Sequence, residues 1–152
     1  MLKIIGQFKL FLRKMRFIHL EILTSMEIFY ADDDPVDIVF FTRALKRIDP
    51  TITCVTAVDG VEALDKLFNQ TIKPDAIFID LYMPKLDGIE CVIAIKRNKD
   101  LKRIPIIIIS NAINKKEIDQ FNRLGVYYFL SKSTFEDLEA SLKNILNSLQ
   151  GK

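Results

Sequence analysis

The sequence predicts a doubly wound α/β domain, a parallel sheet with helices on both faces. Five short apolar runs alternate with five amphipathic patterns from Met26 onward. The runs are rich in Ile, Val and aromatic residues and largely lack polar alternation, which suits strands buried on both faces of a parallel sheet. At 152 residues, with 49% hydrophobic and 28% charged side chains, the chain has the length and composition of one folded domain.

The elements follow in order. EIFYA, residues 27–31, is the first strand. Asp34 before Pro35 gives an N-cap and a pre-set first turn for a helix over 35–48, with Asp37 near the positive helix end. TITCVTAV (51–58) is the second strand, and Asp59 caps a helix over 60–69. AIFIDL (76–81) is the third strand, and Asp87-Gly88 is loop and cap chemistry for a helix over 87–98. IPIIIIS (104–110) precedes a helical pattern over 114–124. VYYFL (126–130) is the fifth strand, and Ser133 offers a cap for a last helix over 134–149. Five strand–helix units in succession fit one doubly wound sheet over residues 26–152.

Residues 1–25 stand apart as a basic amphipathic extension. They carry Lys3, Lys9, Arg13, Lys14 and Arg16 against Glu21, a net of +4, which leaves −2 on residues 26–152. On a helical wheel Ile4, Ile5, Phe8, Phe11, Leu12, Met15, Ile18 and Ile22 share one side. Charges interrupt any apolar run, so the segment has neither the roughly 18 residues of a membrane span nor the apolar centre of a signal peptide. Three readings stay open: a dispensable stretch before an internal start at Met26, a helix docked on protein, or one lying on an anionic membrane. His19, in this segment, has no catalytic partners in sequence. The slightly acidic main body makes no electrostatic case for nucleic acid. Cys54 and Cys91 lie in apolar segments without zinc spacing and read as buried hydrophobes of a cytoplasmic protein.

In a doubly wound sheet, ligands bind beyond the carboxyl ends of the strands. Those ends carry Asp32-Asp33-Asp34, Asp80, Ser110-Asn111 and Lys132. Carboxylates converging there repel unless a hard cation joins them, and Mg²⁺ suits a few carboxylates plus water and phosphate. A lysine and a hydroxyl add the positive charge and the donor that a phosphoryl group needs. The pattern points to phosphoryl transfer onto an aspartate, giving an acyl phosphate.

ADDDP, FIDLYMPKLDG, IIIIS and FLSKS, in this order and spacing, resemble the receiver domain of two-component response regulators over roughly residues 26–149. The D-x-x-M-P-x-x-D-G segment is the specific part. The resemblance implies a flavodoxin-like strand order 2-1-3-4-5. It implies that Asp80 is phosphorylated, that Asp33 binds Mg²⁺ directly and Asp32 mainly through water, and that Asp80 and the Tyr82 carbonyl complete the metal site. It makes Ser110 the hydroxyl that follows the phosphoryl group, Lys132 its cationic partner, and Phe129 the switch aromatic, although Phe129 also reads as plain core. Asp34 is better explained as a helix cap than as part of this set.

Three positions depart from the family pattern. Ser133 follows Lys132 where proline, often cis, is usual; a cis bond before a non-proline residue costs about 2.5–4 kcal/mol, so a trans bond or local strain is expected. Asn111 is larger than the usual small residue. Tyr82 is large enough to shield an acyl phosphate from water.

The expected function is a signalling switch that takes a phosphoryl group from a sensor histidine kinase or a histidine phosphotransfer protein and acts on a downstream effector protein by contact. With the chain ending at Lys152, it is expected to stand alone, without a DNA-binding output domain or an enzymatic activity beyond its own phosphorylation and slow dephosphorylation. D-P-x-D after the acid pair is similar to receivers that serve phytochrome-type kinases. Homodimer formation through the last helices, near Val126, Tyr127 and Tyr128, is an open option. The enzyme rival is a haloacid-dehalogenase-type phosphatase with Asp32 as nucleophile and Ser110 and Lys132 as later motifs. It leaves DLYMPKLDG unexplained and lacks the acidic pair expected after the lysine.

Overall fold

The computed structural model describes residues 25–69 and 72–151. The amphipathic extension, His19 included, lies outside the described residues except for Ser25. Strands and helices alternate as β1 (Glu27–Ala31), α1 (Pro35–Ile48), β2 (Thr53–Ala57), α2 (Gly60–Asn69), β3 (Ala76–Asp80), α3 (Gly88–Arg97), β4 (Ile106–Ser110), α4 (Lys115–Leu124), β5 (Tyr128–Ser131) and α5 (Phe135–Gln150). The strands form one parallel sheet in the order β2-β1-β3-β4-β5, as the resemblance implied. The order reverses between β1 and β3, so the carboxyl ends of these two strands frame the crevice.

The two-residue period of a strand sends alternate side chains to opposite layers. Ile28, Tyr30, Phe78, Ile107 and Ile109 pack with Phe41, Leu45 and Leu142 of α1 and α5. Phe29, Ile77, Ile79, Ile106 and Ile108 pack with Leu67, Val92 and Phe121 of α2, α3 and α4. Each fully buried aliphatic side chain contributes about 1.5–3 kcal/mol. Burial on both faces holds for β1, β3 and β4, whereas β2 and β5 are partly exposed. This corrects the uniform burial expected from sequence: an edge strand has a neighbour on one side only and less helix cover. β1 has the bounds read from sequence, whereas β2 and β4 start later than their apolar runs, since Ile52 and Ile104 sit in turns closed by bonds to the Asp49 and Leu101 carbonyls.

The helix starts follow side-chain chemistry. Asp34 accepts from the Val36 amide at 2.7 Å with Pro35 in the first turn. Asp59 accepts from the Glu62 amide at 2.8 Å, and Asp87 with Glu90 forms a capping box. For α5 the cap is Thr134, not Ser133: its hydroxyl accepts from the Asp137 amide at 3.3 Å. The helix begins at Phe135, whose ring packs edge-on against Phe40 of α1, with centroids 5.9 Å apart. Gly88 lets the start of α3 approach the strand end, because a Cβ there would lie 2.7 Å from the Asp80 carbonyl oxygen.

There is no cis peptide among the described residues, so the Lys132–Ser133 bond is trans. Cys54 and Cys91 are free, and burial pushes both thiols up to about 12. No helix among the described residues is long and apolar enough to cross a membrane.

Candidate functional site

Register sets the first level of the site. Ala31 pairs with Ile79, Asp80 with Ile109, and Ser110 with Ser131. The residues that end β1, β3, β4 and β5 therefore lie side by side along one sheet edge. Asp32, Asp33 and Asp80 each offer a carboxylate oxygen within 4.8 Å of the others. Asp32 is fully buried and Asp80 is 4% exposed, while Asp33 is exposed.

Lys132 joins this group from the β5–α5 loop. Its ammonium lies 2.9 Å from Asp32 Oδ2, 3.1 Å from Asp80 Oδ1 and 2.8 Å from Asp37 Oδ2, with the lysine side chain only 15% exposed. Asp32 has both oxygens engaged, since Oδ1 accepts from the Asp34 amide and Oδ2 also accepts from the Tyr30 hydroxyl. Asp80 Oδ2 accepts from the Tyr82 amide at 3.1 Å. Asp33 has no partner among the described residues, which leaves its carboxylate free for a ligand.

Burial pushes the Asp80 carboxyl up to about 6, against the lowering effect of Lys132. For Lys132 burial alone would lower the pKa, but its bonds to Asp37 and Asp32 and the charge of Asp80 win, and the net shift is upward. The Tyr30 hydroxyl is pushed well above its ordinary value by burial and by Asp32, so it stays a donor.

The other wall differs. Ser110 is 5% exposed and donates its hydroxyl to the Ala112 carbonyl at 2.7 Å. Phe129 is half-buried, edge-on to Phe121 at 5.9 Å. A cavity of about 200 Å³ lies between Ser110, Ala112, Ile113 and Phe129. Tyr82 is 58% exposed and donates its hydroxyl to Glu117 Oε1 at 2.9 Å, tying the end of β3 to the first turn of α4. In the same β3–α3 loop, Lys85 adopts a left-handed φ of 66° and pairs with Asp59 at 2.5 Å, pinning the loop to the residue just before α2.

The structure thus brings together Asp32, Asp33, Asp80 and Lys132, with Ser110 at the end of β4, Tyr82 just past the end of β3, and Phe129 within β5, paired with Ile108. Sequence reasoning missed two contributors. Tyr30 stands two residues before Asp32, and the strand period could have placed its hydroxyl there. Asp37 was read only as a helix-terminal charge, and nothing in the local sequence pairs it with Lys132. Asp32, buried with both oxygens taken, is poorly placed as the nucleophile of the phosphatase rival.

Three clustered carboxylates, one of them unpartnered, form the oxygen-rich donor set that a hard divalent cation prefers. Residues 28–143 match the model of the response regulator receiver domain. The chain belongs to that family, the phosphoryl-accepting switch domains of two-component signalling. Such domains bind a divalent metal and work with sensor histidine kinases and downstream effectors.

The chain is 29% identical over 129 residues to the response regulator Rcp1 of Synechocystis, covering 82% of this chain and 84% of that protein. The solved Mn²⁺-bound form of Rcp1 superimposes with a TM-score of 0.70 at 30% identity, over 79% of this chain and 91% of that one. The phosphorylated cyanobacterial phytochrome response regulator RcpA gives 0.74 at 33% identity, over 80% and 91%. Similarity to the sensor histidine kinase CheAY of Helicobacter pylori, 29% over 101 residues, takes in 66% of this chain and 12% of that kinase.

Proposed function

We propose that Asp80 is the phosphoacceptor, taking its phosphoryl group from a phosphohistidine of a sensor histidine kinase or a histidine phosphotransfer protein. The observation that carries this reading is the Asp80 carboxylate at the end of β3, 3.1 Å from the Lys132 ammonium and inside the Asp32–Asp33–Asp80 cluster. An Asp80 oxygen forms the new bond to phosphorus. The P–N bond breaks, its electron pair goes to the imidazole, and the ring takes a proton from water. Lys132 offsets the growing negative charge, and Tyr82 N–H orients the attacking carboxylate.

Mg²⁺ is the cation this donor set would take, with Asp33, Asp80 and the Tyr82 carbonyl as the groups that would hold it directly and Asp32 through water. When bound it withdraws charge from the phosphoryl oxygens. The chain then acts as a switch and not as a catalyst of other substrates: its own phosphorylation and slow dephosphorylation are its chemistry. The Ser110 hydroxyl leaves the Ala112 carbonyl for the phosphoryl group, and Phe129 moves toward the space vacated beside it. The populations of two states shift, and with them the affinity of the α4–β5–α5 face for a cytoplasmic effector protein or a second copy. Nucleic acid has no part in this reading.

Incubation with acetyl phosphate and Mg²⁺ is expected to add one phosphoryl group to the intact mass of the wild type. Asp80→Asn is expected to add none. Equal phosphorylation of the two proteins sinks the assignment.

A further inference from the structure

An ammonium group has three N–H donors. Those of Lys132 face three carboxylates: Asp37 at 2.8 Å, Asp32 at 2.9 Å and Asp80 at 3.1 Å. The contact to the proposed phosphoacceptor is the longest, and that to Asp37 is the shortest. Asp37 sits in the first turn of α1, with its side chain 32% exposed. It is outside the Asp32–Asp33–Asp80 group that could hold a metal. Among the described residues, Lys132 is the only partner of its carboxylate.

Without Asp37, the ammonium would be shared between two buried carboxylates alone. Two carboxylates would then divide one positive charge, so the ammonium would settle between them and hold Asp80 more tightly. A nucleophile bound in that way gives up its lone pair less readily, and one N–H would be left undirected. With Asp37 present, the ammonium is anchored on the α1 side by Asp37 and Asp32. The third N–H can then pass from Asp80 to an incoming phosphoryl oxygen while the nitrogen stays in place.

We infer that Asp37 is a positioning residue for phosphoryl transfer, acting through Lys132. The inference rests on Asp80 being the phosphoacceptor. With acetyl phosphate as donor, an Asp80 oxygen forms the new O–P bond, and the old O–P bond breaks with its pair leaving on acetate. No proton or electron passes through Lys132 or Asp37. Their contribution is where the positive charge stands while the bond order shifts.

The test is the rate of phosphorylation of the full chain by acetyl phosphate and Mg²⁺, read by intact mass, for wild type, Asp37→Ala and Asp37→Asn. The asparagine oxygen still accepts from the ammonium, whereas alanine offers nothing. A rate about tenfold lower for the alanine variant is expected, the scale of one hydrogen bond to a charged group, with the asparagine variant within about threefold of wild type. Both substitutions remove the charge near the α1 terminus, so a structural role would slow them equally and shift their urea midpoints together.

Simple relief of repulsion would instead make both variants faster. Either result overturns the inference, as does an alanine variant at the wild-type rate. If Asp80→Asn is phosphorylated in the same assay, the site reading itself has failed, which keeps the two failures distinct.

Discussion

On the β1–α1 side of the pocket, Asp32, Asp37 and Asp80 converge on one ammonium, and Tyr30 donates to the most buried of them. On the β4–β5 side, Ser110 bonds within its own loop, and Phe129 borders a cavity of about 200 Å³. The first wall is held by charge in a partly dry setting, where shifting any member leaves another uncompensated. The second wall is held by contacts that a rotamer change can exchange at small cost. The proposed function uses both: the fixed acid cluster would take the phosphoryl group, and the looser neighbouring surface would report it.

Replacing Lys132 by Met attacks the charged wall directly. Asp32, Asp37 and Asp80 lose their common counter-charge, and breaking a buried pair in this way costs about 3–5 kcal/mol. Urea denaturation at neutral pH without divalent ions is expected to show that loss, and added Mg²⁺ to recover part of it. A change no larger than a surface substitution would mean the wall is not held by charge.

Phe129→Ala probes the looser wall. The ring is only half-buried and already beside empty space, so the expected loss is about 2 kcal/mol, below the 3–5 typical of a buried Phe. A loss at the top of that range would show this wall to be as tightly packed as the core.

Asp33→Asn separates stability from function within the acid cluster. Asp33 is exposed and unpartnered among the described residues, so its removal is expected to leave stability within about 0.5 kcal/mol. Calorimetric titration is expected to show Mg²⁺ affinity falling at least tenfold, about 1.4 kcal/mol. An unchanged affinity would remove Asp33 from the metal site.

Much of this was legible in the chain. Asp34-Pro35 and Asp87 announce their helices because caps act within a few residues, and the unbroken IIII of β4 announces a central strand. Ser133 was a poorer guide, since two adjacent hydroxyl residues can each cap, and the packing of Phe135 on Phe40 decides between them. The edge character of β2 and β5 could not be read from composition, because Val, Tyr and Phe also occur where one side faces water.

The sequence by itself determined the alternation of strands and helices, and the order in which acid pair, aspartate, serine and lysine reach one sheet edge. Periodicity and capping are local, so they survive in a one-dimensional record. Only the tertiary structure decided that Lys132 is shared three ways and that Asp37 makes the shortest of its contacts. It also decided that Tyr30 secures Asp32 and that Tyr82 is tied to Glu117. Those pairings depend on where residues distant in sequence come to rest, and a charge takes whichever partners the folded chain leaves within reach.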